Sequence, residues 1–343
     1  MALLGNNRHR WILAAAYKLP DLPSQPSSMT PAMTDSFRSL QQLAAAIPDG
    51  ARIAVAQDSC GVSMALTRAL IRRKARGLHL VCVPISGMQA DLLIGSGCVD
   101  TIETSAVSLG EYGSAPRFLA ALRSGRLRLL EATCPAIHAA LQAGEKDLPF
   151  IPLRGLIGSD IVRVRPDWKV IDNPFADAAR MAAGGDPIVL LPAIRPDVAI
   201  FHAPFADREG NVFIGRKREL LTMAHAAFRS LVTVERIIEG SVFDNPATAA
   251  GSVPAIYVDG IAVAAQGAAP VGLPENYVPD GALIRRYASA ATSDEGFAGF
   301  VREWLEANAE ADDNTIGSGH STVGAVGAIG APAAPASKQG AAT

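Results

Sequence analysis

The chain has 343 residues, of which 49% are hydrophobic and 19% charged, and its formal net charge is −2. That balance excludes a chain that is disordered throughout, and a nucleic-acid binder held by a broad basic surface. No apolar run approaches the about 20 residues that a membrane span needs.

In chain order, the segment Trp11–Tyr17 follows Arg8 and Arg10 and faintly mimics a signal peptide. Lys18 ends it and no small-residue cleavage site directly follows, so a cytoplasmic location is expected. Pro20, Pro23, Pro26 and Pro31 break any helix. Residues 1–33 therefore read as an irregular N-terminal extension, or as an over-called start ahead of Met33. Thr34 is placed to cap a helix with Phe37, Leu40, Leu43 and Ile47 on one face.

A short apolar strand, Ile53–Ala56, leads into the loop 57–61 and a helix over 62–74, with Gly77 as its stop. Leu78–Val83 reads as a buried strand, Ala90–Gly95 as a helix and Thr101–Ser105 as a strand. A helix over Pro116–Leu122, a strand over Leu127–Glu131 and a helix from Pro135 to Leu141 follow. Further strands are expected at Ile188–Ala193, Val198–Ala203 and Leu231–Ile237, and as a bent pair over Val253–Ala265. Helices are expected at Arg218–Phe228 and near 280–291 and 295–307. After about Asn308 the chain turns acidic and then Gly/Ala/Pro-rich, so 309–343, with His320, reads as a disordered tail.

This alternation predicts an α/β fold: one domain over 34–308 with an open, mainly parallel sheet and helices on both faces. The four cysteines (Cys60, Cys82, Cys98, Cys134) have no CxxC or CxxH spacing. They read as small buried residues in a reducing compartment, with no metal site.

Ligands in such sheets bind beyond the C-terminal strand ends. The loop Gln57-Asp58-Ser59-Cys60-Gly61, with Ser63 beginning the next helix, can present backbone N–H groups to a phosphate or thioester oxygen, or be a plain βα turn. The same two readings apply to Ser86-Gly87 and to Gly158-Ser159-Asp160. Glu103, Glu111 and Glu131 lie at or after strands, as general bases or as carboxylates paired with Arg117 or Arg126. Cys134, at a helix start, has no placed histidine. His202 and His225 fall in apolar segments and read as core or rim residues.

Six segments carry a resemblance: ADLLIGSGCVDTIETS (90–105), YGSAPRF (112–118), LQAGEKDLPFIPLRGLIGSD (141–160), LPAIRPDVAIFHAPFADREGNVFI (191–214), RSLVTVERI (229–237) and VPAIYVDGIAVAAQGAAP (253–270). In this order they resemble the α subunits of family I CoA-transferases of the glutaconate CoA-transferase type. The resemblance implies that family's α/β fold and, as partner, a homologous β subunit in a heterodimer or heterotetramer. It implies coenzyme A thioesters and carboxylic acids as substrates, and no permanently bound cofactor. In the family a glutamate of the β chain attacks the acyl-CoA. The α chain then contributes backbone that stabilises the oxyanion and shapes the acyl pocket. On this chain the matching positions are Ser59, Cys60, Gly61 and Ser63, with Gly87, Gly158, Ser159 and Asp160 completing the expected CoA-ester site.

The family's first loop is glycine-rich, whereas this one keeps only Gly61. Two alternatives follow. One is an α-like subunit of a ring-opening acyl-CoA hydrolase, for which Glu131 is the candidate carboxylate. The other is a non-catalytic acyl-CoA-binding subunit.

Overall fold

The structure, a computed structural model, describes residues 36–313. The expectations for residues 1–33, for Thr34 and for the tail from residue 314, including His320, lie outside the described residues.

Ser39 caps the first described helix, α1 (Leu40–Ala45). Its hydroxyl accepts from Gln42 N, and the Gln42 side chain accepts from Ser39 N. Four strand–helix units follow: β1 (Arg52–Ala56) and α2 (Met64–Arg73), β2 (Leu78–Val83) and α3 (Met88–Gly95), β3 (Val99–Thr104) and α4 (Pro116–Arg123), β4 (Arg128–Glu131) and α5 (Cys134–Glu145). The chain then leaves the main sheet for β5 (Phe150–Leu153), α6 (Ile161–Val164), β6 (Lys169–Asp172), α7 (Ala178–Ala182) and β7 (Pro187–Pro192). It returns through β8 (Val198–Asp207), β9 (Val212–Phe213), α8 (Arg218–Ala226), β10 (Arg229–Ile238), α9 (Pro246–Ala249), β11 (Ser252–Val253) and β12 (Gly260–Val263). Helices α10 (Gly281–Ala290), α11 (Asp294–Ala307) and α12 (Ala309–Asp313) follow.

Seven parallel strands form the spine of the main sheet in the order β12-β10-β8-β1-β2-β3-β4, with β9 and β11 added antiparallel along the far end of β8. Ile53 of β1 sits opposite Leu80 of β2 and Val198 of β8, all at 0–1% exposure. Strands this apolar need cover on both faces. From β1 to β4 the chain steps one way, so right-handed crossovers put α2, α3 and α4 on one face, where they pack in sequence. The steps β8 to β10 to β12 run the other way, which places α8 on the opposite face against α5. The reversal lies between β1 and β8. Their C-terminal ends therefore splay apart and leave a crevice.

Three departures from the sequence reading have physical causes. Helix α2 ends at Lys74, which takes a left-handed φ of 57° and closes the helix with its N–H on the carbonyls of Leu70 and Ile71. Gly77, the expected stop, turns the chain three residues later (φ 67°). Strand β7 belongs to a separate antiparallel sheet, β5-β7-β6, and not to the parallel one. Arg165 ties this small sheet to the main one. Its guanidinium donates to Glu103 Oε1 (2.7 Å) and to the Glu131 carbonyl (3.1 Å), and stacks 4.4 Å from the Trp168 ring. Finally, ordered chain continues past residue 308. In α12, buried Asp312 takes a bidentate bond from Arg68 (2.8 and 2.7 Å) and another from Arg72.

Candidate active site

A cavity of about 580 Å³ lies beyond the C-terminal ends of β1, β2 and β3. Three strand-end loops wall it: Gln57-Asp58-Ser59 after β1, Ile85-Ser86-Gly87 after β2, and Ser108–Tyr112 after β3. The loop 271–279, which follows β12, covers the fourth side together with Ile284 of α10. The volume lies within the range of small-molecule sites.

Asp58 is the most unusual group there. Its Oδ2 accepts from Met88 N at 2.9 Å, while Oδ1 is inaccessible to solvent and has no partner among the described residues. Burial pushes its carboxyl up to about 6, and nearby Asp91 adds to the rise, against the lowering effect of the Met88 and Gln89 N–H groups. Asp91 is itself buried and raised by burial, though it accepts from Tyr287 Oη and Phe118 N, both at 2.6 Å.

The covering loop is fastened by a buried chain of polar groups. Ser63 Oγ and Thr233 Oγ1 lie 2.7 Å apart, and Thr233 Oγ1 is 2.8 Å from His202 Nδ1. His202 Nε2 is 2.6 Å from Glu235 Oε1, which also accepts from Tyr277 Oη (2.8 Å). The second oxygen of Glu235 accepts from Gln266 N at 2.7 Å, and Ala268 N donates to Tyr277 Oη at 3.0 Å. Burial alone would raise the Glu235 carboxyl. The bonds from His202, Gln266 and Tyr277 outweigh it and hold the group below its ordinary value. Burial and Glu235 push the Tyr277 phenol upward. The sequence marked His202 as a satisfied core residue, and its two partners agree with that.

Of the expected site residues, Ser59 and Gly87 line the cavity. Cys60 and Gly61 line a smaller cleft of about 40 Å³ beside it, between the start of α8 and Pro274-Glu275. Gly61 is dictated by packing. A Cβ there would lie 2.3 Å from the His202 carbonyl, and φ is +85°. The Cys60 thiol donates to Glu219 Oε1 at 2.6 Å, and burial with that carboxylate raises its pKa. Ser63 is wholly buried as the cap of α2.

Gly158, Ser159 and Asp160 are not brought to the cavity. They form the turn before α6, where Ser159 Oγ accepts from Ile161 N (3.2 Å) and exposed Asp160 pairs with Arg163 (2.9 Å). Glu131 is exposed at the end of β4 and lines neither cavity nor cleft. Glu103 is buried and paired, but with Arg52 (2.6 Å) and Arg165. The expected partners go elsewhere: Arg117 to Asp294, Arg126 to Ser124. Cys60, Cys82 and Cys98 are buried as expected. Cys134 is exposed, because it begins α5 at the open strand ends, 3.2 Å from Ser105 Oγ. Among the described residues no cluster of three or more His, Cys, Asp or Glu side chains can hold a metal ion, and no helix is long and apolar enough to cross a membrane.

Sequence reasoning missed Asp58 as a site residue and missed the loop 271–279 altogether. The run PVGLPENYVP gave one usable sign: three prolines around two polar residues, a rigid loop after a strand.

Comparison with known proteins agrees with this geometry. Residues 37–264 match the family model described as "Coenzyme A transferase". The chain is 34% identical over 201 residues to the A subunit of 3-oxoadipate CoA-transferase from Pseudomonas knackmussii, covering 56% of this chain and 67% of that one. It is 30% identical over 237 residues to the A subunit of glutaconate CoA-transferase from Acidaminococcus fermentans, covering 64% and 72%. The crystal structure of that enzyme superimposes with a TM-score of 0.71 over 79% of this chain and 88% of the matched chain, at 24% identity. The chain is also 30% identical over 293 residues to the IpdA subunit of the cholesterol ring-cleaving hydrolase from Mycobacterium tuberculosis, covering 82% and 96%. The chain belongs to the coenzyme A transferase family, among its α-type (A) subunits.

Proposed function

We propose that this chain pairs with a homologous β-like subunit to move CoA between an acyl-CoA and a carboxylic acid, in the cytoplasm. The observation that carries this reading is the position of the cavity. It opens beyond the C-terminal strand ends of a CoA-transferase-type sheet, and it is walled by Ser59 and Gly87, two of the residues expected to meet the thioester. The reaction needs a carboxylate nucleophile, and the buried carboxylate of this cavity is poorly suited to the part. Asp58 has Oδ2 engaged by Met88 N and Oδ1 out of reach of solvent. A glutamate of the partner would attack the thioester carbonyl, expel CoA thiolate and form a mixed anhydride. CoA thiolate would then attack the glutamyl carbonyl and release the free acid. The acceptor carboxylate would attack the resulting glutamyl thioester, expel CoA thiolate and form a second mixed anhydride. CoA thiolate would attack the acyl carbonyl of that anhydride to give the new acyl-CoA and free the glutamate. No cofactor beyond the CoA esters themselves is needed.

The partner has a surface to meet. Of thirteen large apolar side chains exposed among the described residues, eight lie between Leu148 and Met181, on and around the small sheet. Phe175 is 92% exposed and all four residues of β6 are open to solvent. Such a concentration is typical of a protein contact. The three buried and one exposed free thiols suit a reducing compartment. Co-expression with the β-like chain, followed by acyl-CoA plus carboxylate assays and trapping of a glutamyl-CoA thioester, tests the reading. No acyl-CoA turnover with the partner present would refute it.

A second reading, hydrolysis of the acyl-CoA, is favoured by the match that spans 96% of the mycobacterial hydrolase subunit. Water would then replace the acceptor acid, with exposed Glu131 as the candidate base. Glu131→Gln separates the two readings: a hydrolase of this kind loses turnover, and the transferase keeps it.

A further inference from the structure

The cavity wall carries an asymmetry of charge that bears on the acyl group. Its apolar surface comes from Ile85, Leu109, Val271, Leu273, Val278 and Ile284. Its polar side chains are hydroxyls, the amides of Gln57 and Asn276, and two carboxylates, Asp58 and Glu275. Among the described residues, no lysine, arginine or histidine lines it. Arg285 lies 5.6 Å from the ring centroid of Tyr112, a wall residue, yet it is not itself part of the wall.

A carboxylate buried in such a site must find a cation or several N–H donors, or else leave a charge unpaired. The one buried carboxyl already there, Asp58, has an oxygen with no partner among the described residues. Its other oxygen already takes the Met88 N–H. A second carboxylate would add repulsion to a wall on which this chain's described residues place no cation. The relatives named for 3-oxoadipate and glutaconate are named for dicarboxylic acids, whose acyl groups carry such a carboxylate at the far end.

We infer that this cavity selects an uncharged, apolar acyl group and rejects acyl groups that end in a carboxylate, with Asp58 as the residue that enforces the rejection. The inference rests on the reading that the cavity holds the acyl part of a CoA thioester.

The test uses the complex of this chain with its β-like partner and pairs of CoA esters matched in length: valeryl-CoA against glutaryl-CoA, and hexanoyl-CoA against adipyl-CoA. The expected kcat/KM favours the uncharged ester on the order of 100-fold, the scale set by leaving a charge unpaired in a buried site. Asp58→Asn should narrow that gap about tenfold by removing the fixed negative charge, acting mainly on KM. Glu275→Gln on the opposite wall provides a second, independent variant with the same sign. Equal or better use of the dicarboxylic esters by the wild-type complex overturns the inference, as does a gap unmoved by both variants. Failure of the CoA reading looks different, because neither ester, nor CoA itself, would then bind or turn over.

Discussion

Asp58 Oδ2 occupies the space that a side chain at position 87 would need: a Cβ built on Gly87 would sit 2.1 Å from it. The same Cβ would lie 2.8 Å from the Ser108 carbonyl. The loops after β1, β2 and β3 thus meet at one point, and the missing side chain is what lets them close the cavity. Gly87→Ala should cost on the order of 2–4 kcal/mol, the range for overpacking and strain. Adding Asp58→Ala should recover only part, because the Ser108 backbone cannot move as a side chain can. Denaturant unfolding of the two single variants and the double variant measures this coupling.

Asp58 also links stability to pH. Its folded-state pKa, raised to about 6, lies above the ordinary carboxylate value, so the folded chain holds a proton that the unfolded chain has lost. The sign follows: stability falls as pH rises from about 4 to about 6, and above that the penalty is constant. A rise of this size corresponds to about 3 kcal/mol at most. Asp58→Asn removes the penalty and should be more stable than wild type at pH 7.5 but not at pH 4.5. Thermal unfolding at the two pH values checks it; an equal shift at both would contradict the assignment.

Tyr277 fastens the loop 271–279 through Glu235 and Ala268 N. Tyr277→Phe keeps the ring and loses only the hydroxyl. Glu235 still has His202 and Gln266, so the fold should lose about 1 kcal/mol. The loop wall should loosen more than the fold, giving a several-fold rise in KM for acyl-CoA with kcat little changed. Protease accessibility within 271–279 gives an independent reading.

Asp312 neutralises Arg68, whose side chain is 4% exposed, and Arg72 as well. Asp312→Ala leaves a buried guanidinium without this partner, which typically costs about 3–5 kcal/mol. Arg68 also lies over the Trp304 ring, 5.3 Å from its centroid. Near-ultraviolet circular dichroism of Trp304 should therefore change together with the denaturation midpoint.

The parallel sheet was readable because its signals are local. Leu78–Val83 is a continuous apolar run, and the observed strand has those same bounds. Pro116 and Pro135 marked the starts of α4 and α5. The small sheet was not readable. Strands β5 and β6 are four residues long, β6 is exposed at every position, and β5 and β7 carry prolines, so no period of two survives. The site was half legible for a related reason. Strand-end loops announce themselves, but what pairs across them does not. Glu103 read as a base or as a carboxylate paired with Arg117 or Arg126, but its actual cations, Arg52 and Arg165, sit 51 and 62 residues away in the sequence. Asp58 stood in plain view in the loop 57–61. Its importance depends on the absence of a side chain at Gly87 and on the proximity of Asp91, which only the fold brings together.

The central claim is that this chain is half of an acyl-CoA enzyme whose nucleophile lies on a β-like partner. The most direct measurement is CoA exchange between an acyl-CoA and a labelled carboxylic acid, with this chain alone, with the partner alone and with both. The account predicts label transfer only with both, through a borohydride-sensitive glutamyl-CoA thioester on the partner. Transfer by this chain alone, or its absence when both are present, would contradict it.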